Sequence, residues 1–524
     1  AYPDGGFNPA NLLNLESELG LEISVFVDVG IKIPFVGKIM SRIIDLTLAD
    51  ITLATFSYEA PVVQPILGQL AGGVLTVNSG RNAKDREFLD TEDGGEKWEI
   101  AGDGSKVYLI YNDWYQEFDG VTKVVAYGDE GDDTFDASNL EGVELEIHGG
   151  VGNDTLISGT DKATFYGDEG KDTLNASRST TASTLEGGSG DDTLTGGSAA
   201  DELKGEGGDD RIVGNGGDDT INGGTGADDL RGGDGNDLYD FDDNWALDRF
   251  TDRDGSAILD FSDVTHDLQV SVGSSGVSVV VLDTDGKVLH EVRTGRANIS
   301  EIRLGSGDDI VNIKDFLEGT LTITDAGGDD RYVAPFDRAS SSKATGTIDI
   351  QDTAGDFDEI RVTQMRAGSD SDAIELNNYE LKNGREVITF DAGIEQQTIL
   401  GKSSLFNSNK EVGPQKSGLE DWGGEVILTS GVGAADLGTT NVKVFAKDLR
   451  VLSALTLQSL DVEVLENITF EEAIDASGDV YLSTVDTDTQ SPVSYDVVFE
   501  KAVDVEGDFI IETQDVDFNN TVGG

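Results

Sequence analysis

Between residues 187 and 240 one large apolar residue recurs at every ninth position, separated by polar residues and glycine. These residues are Leu194, Leu203, Ile212, Ile221, Leu230 and Tyr239. Each is the centre of a triplet such as Thr193-Leu194-Thr195, the alternation of a short strand with one side chain facing inward. The six residues before each triplet are glycine-rich and end on aspartate: GGSGDD, GGSAAD, GEGGDD, GNGGDD, GGTGAD and GGDGND. A chain that reverses this often needs backbone positions with φ > 0, which glycine adopts without steric cost. One nonapeptide therefore predicts one turn and one strand. Two complete a coil of a flattened parallel solenoid, so turns on the same side recur every eighteen residues.

That spacing predicts two columns of carboxylates. Asp192, Asp210 and Asp228 fall in one, and Asp201, Asp219 and Asp237 in the other. Rungs of a parallel stack lie about 4.8 Å apart. Two carboxylates at about that distance repel by about 1 kcal/mol in water and several times more when partly buried. The turns also bring backbone carbonyls inward, from Gly187, Gly188, Gly190, Gly196, Gly197, Gly205, Gly208, Gly214, Gly217, Gly223, Gly224, Gly226, Gly232, Gly233 and Gly235. Carboxylates and carbonyls without His or Cys suit a hard divalent cation with many oxygen ligands, and calcium is the expected cofactor, bound as several ions.

The pattern G-G-x-G-x-D-x-U-x, with U a large apolar residue, resembles the hemolysin-type, or RTX, calcium-binding repeats of proteins secreted by Gram-negative bacteria. The resemblance implies a parallel β-roll that takes up calcium outside the cell. Departures from the motif mark turns expected to bind less well: Ala199 replaces the fourth-position glycine, and Glu206 and Asn215 replace the second. Three further copies lie upstream, GDEGDDTFD from Gly128, GGVGNDTLI from Gly149 and GDEGKDTLN from Gly167. They add Asp133, Asp154 and Asp172 as candidate ligands, with Lys171 placing a cation beside one site at what reads as a variable fifth position. The intervals from Asp133 to Asp154 and from Asp172 to Asp192 exceed eighteen residues, which predicts looped-out coils. Downstream, Asp309, Asp330 and Asp358 keep the turn-then-strand grammar at intervals of 21 and 28 residues. Those intervals break the column, and these turns read as acidic β-turns rather than as calcium sites.

The rest of the chain reads as an all-β protein, a parallel β-roll or β-solenoid with flanking β-rich domains. Five zones are expected. Residues 1–72 form a β-rich segment with strand-like alternation at 21–29 and 43–56 and a short helix at 8–19, and 73–127 a β-rich cap leading into the roll. Residues 128–243 form the roll, 244–440 a degenerate solenoid and β-rich region, and 441–524 a β-strand-repeat solenoid. The echo of F-E-x-A-[IV]-D-x-x-G-D at Phe470 and Phe499 suggests a repeat of about 29 residues. The arrangement is similar to giant bacterial surface proteins that mix RTX blocks with β-strand repeats. The missing initiator methionine and the stop at FNNTVGG suggest a piece of something longer.

Composition narrows the partners. With 102 acidic against 36 basic residues the formal net charge is −66, which repels nucleic acid and anionic membranes. There is no cysteine, so disulfides and thiolate–metal sites are excluded. No uninterrupted apolar span reaches the length of a membrane helix, and no membrane insertion is expected. Metalloprotease, nucleophile-elbow and phosphate-loop motifs are absent, and His148, His266 and His290 are scattered. No catalytic residue is assigned. Without calcium the stacked charge outweighs a core of one residue per strand, so metal binding and folding are expected to be one equilibrium. The functional reading is a calcium-rigidified structural or adhesive segment of a secreted or cell-surface protein, which contacts surface or matrix components or copies of itself. The alternative is the folding module of an extracellular polysaccharide-active enzyme, an epimerase or lyase.

Overall fold

A strand whose inward residues match those of the strand one coil later can stack on it in parallel, and almost every strand here does so. The computed structural model describes residues 65–86, 89 and 94–252, and from 255 to 523 the strands with some of the turns between them. Before residue 65 it describes 14–17 and 21–24. The chain divides into two units, residues 1–65 with 86–90, and residues 66–85 with 91–524. In the first, Asn14–Ser17 pairs antiparallel with Leu21–Ser24, with Leu15 opposite Ile23. Residues 14–17 are therefore strand, not the expected helix, because their backbone pairs with that of residues 21–24. The rest of that segment, and the strands expected over 43–56, lie outside the described residues.

In the second unit two parallel sheets run side by side. The first passes through Lys123–Glu130, Glu144–Val151, Ala163–Glu169, Thr184–Ser189, Glu202–Gly207, Thr220–Asn222, Asn236–Asp240 and Ser256–Asp260. The second passes through Thr134–Leu140, Thr155–Ile157, Thr173–Asn175, Thr193–Thr195, Arg211–Gly216, Asp229–Asp234 and Leu247–Phe250. Successive strands alternate between the sheets, so each pair of strands is one coil of a β-roll. The register aligns Leu185, Leu203, Ile221, Tyr239 and Leu259 in one inward column and Leu174, Leu194, Ile212, Leu230 and Phe250 in the other. All ten are fully buried. The apolar periodicity of the sequence is this core.

The N-terminal edges of both sheets are covered by antiparallel strands. Gly68–Ala71 folds back on Val74–Val77, which leads the first sheet. Lys97–Asp103, Lys106–Tyr111 and Trp114–Asp119 form a meander that leads the second. The sheet edges thereby pass to the short strand Gly68–Ala71 and to the polar strand Trp114–Asp119, and short or charged edge strands are poor templates for pairing with other chains. Downstream, Gln269–Gly273 and Gly276–Leu282 insert an antiparallel hairpin into the second sheet, after which parallel stacking resumes from Ile310–Ile313. From residue 435 a third sheet joins, built from Ala435–Asp436, Leu455–Leu457, Ile474–Ala476, Val503–Val505 and Val522–Gly523, and the coil becomes three-sided.

In this part Phe470 stacks on Phe499 with ring centroids 5.0 Å apart and planes at 3°. The 29-residue echo is thus one coil, but the neighbouring coils, Leu449 to Ile468 and Val497 to Val516, each advance 19 residues. The longer coil carries its extra residues between Thr484 and Asp496, outside the described residues. Among the described residues no helix is long and apolar enough to cross a membrane.

Candidate metal centre

Each turn of the roll places its six residues in fixed roles. The second and fourth take left-handed conformations, as at Gly188 (φ 105°), Gly190 (125°), Gly224 (88°) and Gly226 (137°). Where glycine is missing from the second position the conformation survives: Glu206 has φ 70°, Asn215 77°, Asp129 65° and Asp168 72°. Asn and Asp tolerate this region, whereas Glu206 pays about 1–2 kcal/mol for it. The first glycine is bare for a different reason. A Cβ at Gly187 would lie 2.5 Å from Asp192 Oδ2 and 2.9 Å from the carbonyl oxygen of Gly205. The same two kinds of oxygen crowd Gly149, Gly167, Gly205 and Gly214, and the sixth-position carboxylate crowds Gly223 and Gly232. The first position therefore guards a space between a carboxylate oxygen and a carbonyl of the next rung.

The sixth-position aspartates form a ladder. Each accepts, through Oδ1, the backbone N–H of the aspartate one coil before it. The chain of bonds runs Asp133 to Asp154, Asp172, Asp192, Asp210, Asp228 and Asp248, at 2.6 to 3.1 Å. On the opposite side Ser183, Asp201, Asp219 and Asp237 are linked in the same way at 2.7 to 3.0 Å. All these carboxylates are at most 3% exposed. Oδ2 of Asp154, Asp172, Asp192, Asp210, Asp219, Asp228, Asp237 and Asp248 is buried without a hydrogen-bond partner. A buried anionic oxygen of this kind is costly unless a cation meets it. Burial pushes Asp210 up to about 8, Asp172, Asp219 and Asp248 to about 7, and Asp154, Asp192 and Asp228 to about 6. The N–H each accepts pulls it partly back, and in most of them neighbouring aspartates push further up. Oxygen donors alone, bare glycines and uncompensated carboxylates fit a hard divalent cation such as calcium.

In the intervals of 21 residues from Asp133 to Asp154 and 20 from Asp172 to Asp192 the additional residues loop out into the turn on the opposite side, before Glu144 and before Thr184, and leave the ladder undisturbed. Two expectations need correction. The downstream column is also unbroken: Asp309 donates its N–H to Asp330 Oδ1 at 2.6 Å, and Asp330 donates to Asp358 Oδ1 at 2.8 Å. The fifth position is not freely variable. Asp132, Asn153, Asp191, Asp209 and Asp218 each accept, through Oδ1, the fifth-position N–H of the next coil. This second ladder points the opposite way along the stack, so each turn is tied to both neighbours. Lys171 leaves a gap in it and lies 3.8 Å from Asp191 instead.

Asp201 stands apart. With Ala199 in place of the fourth glycine, no residue from Gly196 to Ala200 is left-handed, and the Gly197 N–H donates to Asp201 Oδ2 at 2.5 Å. The oxygen that is bare in the other turns is satisfied by the turn itself. Asp248 was missed by the motif because its turn has no glycine; the remaining signal was the D-x-U order, Asp248 followed by inward Phe250. The histidines serve elsewhere. His148 is stacked between Tyr127 and Tyr166 on the outer face, and His266 lies 3.1 Å from Asp243.

The family model of the RTX calcium-binding nonapeptide repeat matches this chain in four copies, over residues 148–178, 180–212 and 204–239. No curated protein matches it. The ladder extends past the matched residues at both ends, to Asp133 and to Asp248.

Proposed function

We propose that this chain, an RTX-repeat protein, is a calcium-dependent structural segment of an exported or cell-surface protein that becomes rigid when it meets extracellular calcium. The observation that carries the reading is the set of buried carboxylate oxygens without partners in the turns on both sides of the roll. Each aspartate would offer Oδ2, and the glycines at the first position their carbonyls, to ions held between rungs. The number of ions follows the number of bare oxygens, which makes the Asp201 turn the weakest. Calcium supplies the positive charge that the stacked anions lack. The chain's own contribution is to hold the donors in place through the two ladders.

Weak oxygen sites fill at roughly 0.1–1 mM calcium, the range of extracellular modules, and stay empty in a cytosol where calcium is far lower. A chain with a net charge of −66 then remains expanded by self-repulsion until export. Small-angle X-ray scattering of the whole chain during a calcium titration tests this. Compaction with a midpoint near extracellular calcium supports the reading, and compaction complete in the sub-micromolar range contradicts export-coupled folding.

A further inference from the structure

The strand Gly319–Asp325 ends where the nonapeptide pattern places its first glycine, and Asp330 follows in the sixth position. In the roll that first position is bare so that a space stays open. Here a carboxylate fills it. One oxygen each of Asp309, Asp325 and Asp330 lies within 4.8 Å of the other two. The residues are 0, 9 and 2% exposed. Asp309 Oδ1 accepts the Leu268 N–H at 2.7 Å, Asp330 Oδ1 accepts the Asp309 N–H at 2.6 Å, and Oδ2 of both is buried with no hydrogen-bond partner. Asp325 Oδ2 accepts the Gly327 N–H at 2.9 Å. Three converging carboxylates in a dry site repel one another by several kcal/mol unless positive charge is supplied.

The geometry points to a second kind of cation site, a three-carboxylate centre of Asp309, Asp325 and Asp330 for a hard divalent ion of calcium type, outside the residues matched by the RTX model. It differs from the sites of the roll in substituting a side-chain carboxylate for the glycine at the first position. Higher ligand charge tightens calcium binding, so this site fills before those of the roll. The preceding turn shows the contrasting solution: its first position holds Leu304, 1% exposed.

The test is calcium stoichiometry of the full chain by equilibrium dialysis, for wild type, Asp325→Asn and Asp325→Leu, with far-UV circular dichroism to confirm folding. At the free calcium that just saturates the wild type, each variant is expected to bind one ion fewer. Equal stoichiometry in wild type and Asp325→Asn overturns the proposal and leaves a shared proton as the compensating charge. Should Asp325→Leu fail to fold, the near-isosteric Asn variant decides alone. The outcome is independent of the roll: a chain that binds a single ion, lost in Asp325→Asn, upholds this site while refuting calcium binding by the nonapeptides.

Discussion

Asp210 accepts the backbone N–H of Asp192 through Oδ1 at 2.7 Å, and its Oδ2, equally buried, accepts nothing. The two oxygens of one carboxylate thus have separate tasks, one holding the rung before it and one left for a cation. Asp210→Ala removes both and leaves the Asp192 N–H without its charged acceptor. In saturating calcium this is expected to cost about 2–3 kcal/mol in urea unfolding. Asp210→Asn, which keeps the acceptor, is expected to restore part of that stability while still raising the calcium midpoint.

The first-position glycines are expected to be intolerant for reasons of space. Gly205→Ala would put a methyl between Asp210 Oδ2 and the Gly223 carbonyl, so it should lower the number of bound ions. Gly207, whose added Cβ would meet only the Thr225 hydroxyl at 3.2 Å among near neighbours, is the control. Gly207→Ala is expected to change stability by about 0.5 kcal/mol or less. Isothermal titration calorimetry of the two variants separates an ion-space effect from a general sensitivity of the turn.

Asp201 and Asp219 occupy the same column but should respond differently. Asp201 Oδ2 is satisfied by Gly197, whereas Asp219 Oδ2 is bare. Asp219→Ala is expected to lower calcium stoichiometry, and Asp201→Ala to destabilise the roll without lowering it as far. Equal losses of calcium in the two variants would contradict the distinction.

The pH dependence without calcium follows from the raised carboxylates. Folded pKa values of about 6 to 8 lie above the ordinary value of 3.8. Between these limits the folded roll binds more protons than the unfolded chain, so its stability falls as pH rises and is lowest above about 8. Calcium-free protein should therefore gain β structure when pH is lowered from 8 towards 5, as followed by circular dichroism. Calcium affinity should move the other way, weakening as protons compete for the same oxygens.

Much of the roll was legible in the sequence because its core is one residue deep. A nine-residue period with one apolar position fixes both the strand and the side that faces inward, and Leu194 through Tyr239 lie where that period puts them. The column was harder to read, since spacing alone cannot say which side of a coil absorbs an insertion. The residues added between Asp172 and Asp192 enter the far turn, leaving the aspartates in register. The role of the fifth position also escaped, because Asp and Asn there act on the backbone of the next coil, a partner eighteen or more residues away. Asp325 carries no signal of its own in the sequence; only the approach of Asp309 and Asp330 gives it chemical meaning.

The central claim is that metal binding and folding of the roll are one event, and hydrogen exchange at the ladder amides tests it most directly. In chelator at neutral pH, the N–H groups of Asp172, Asp192 and Asp210 should exchange at the rate of an unfolded chain, and in about millimolar calcium they should be among the most protected in the protein. Equal protection of these amides with and without calcium would contradict the account.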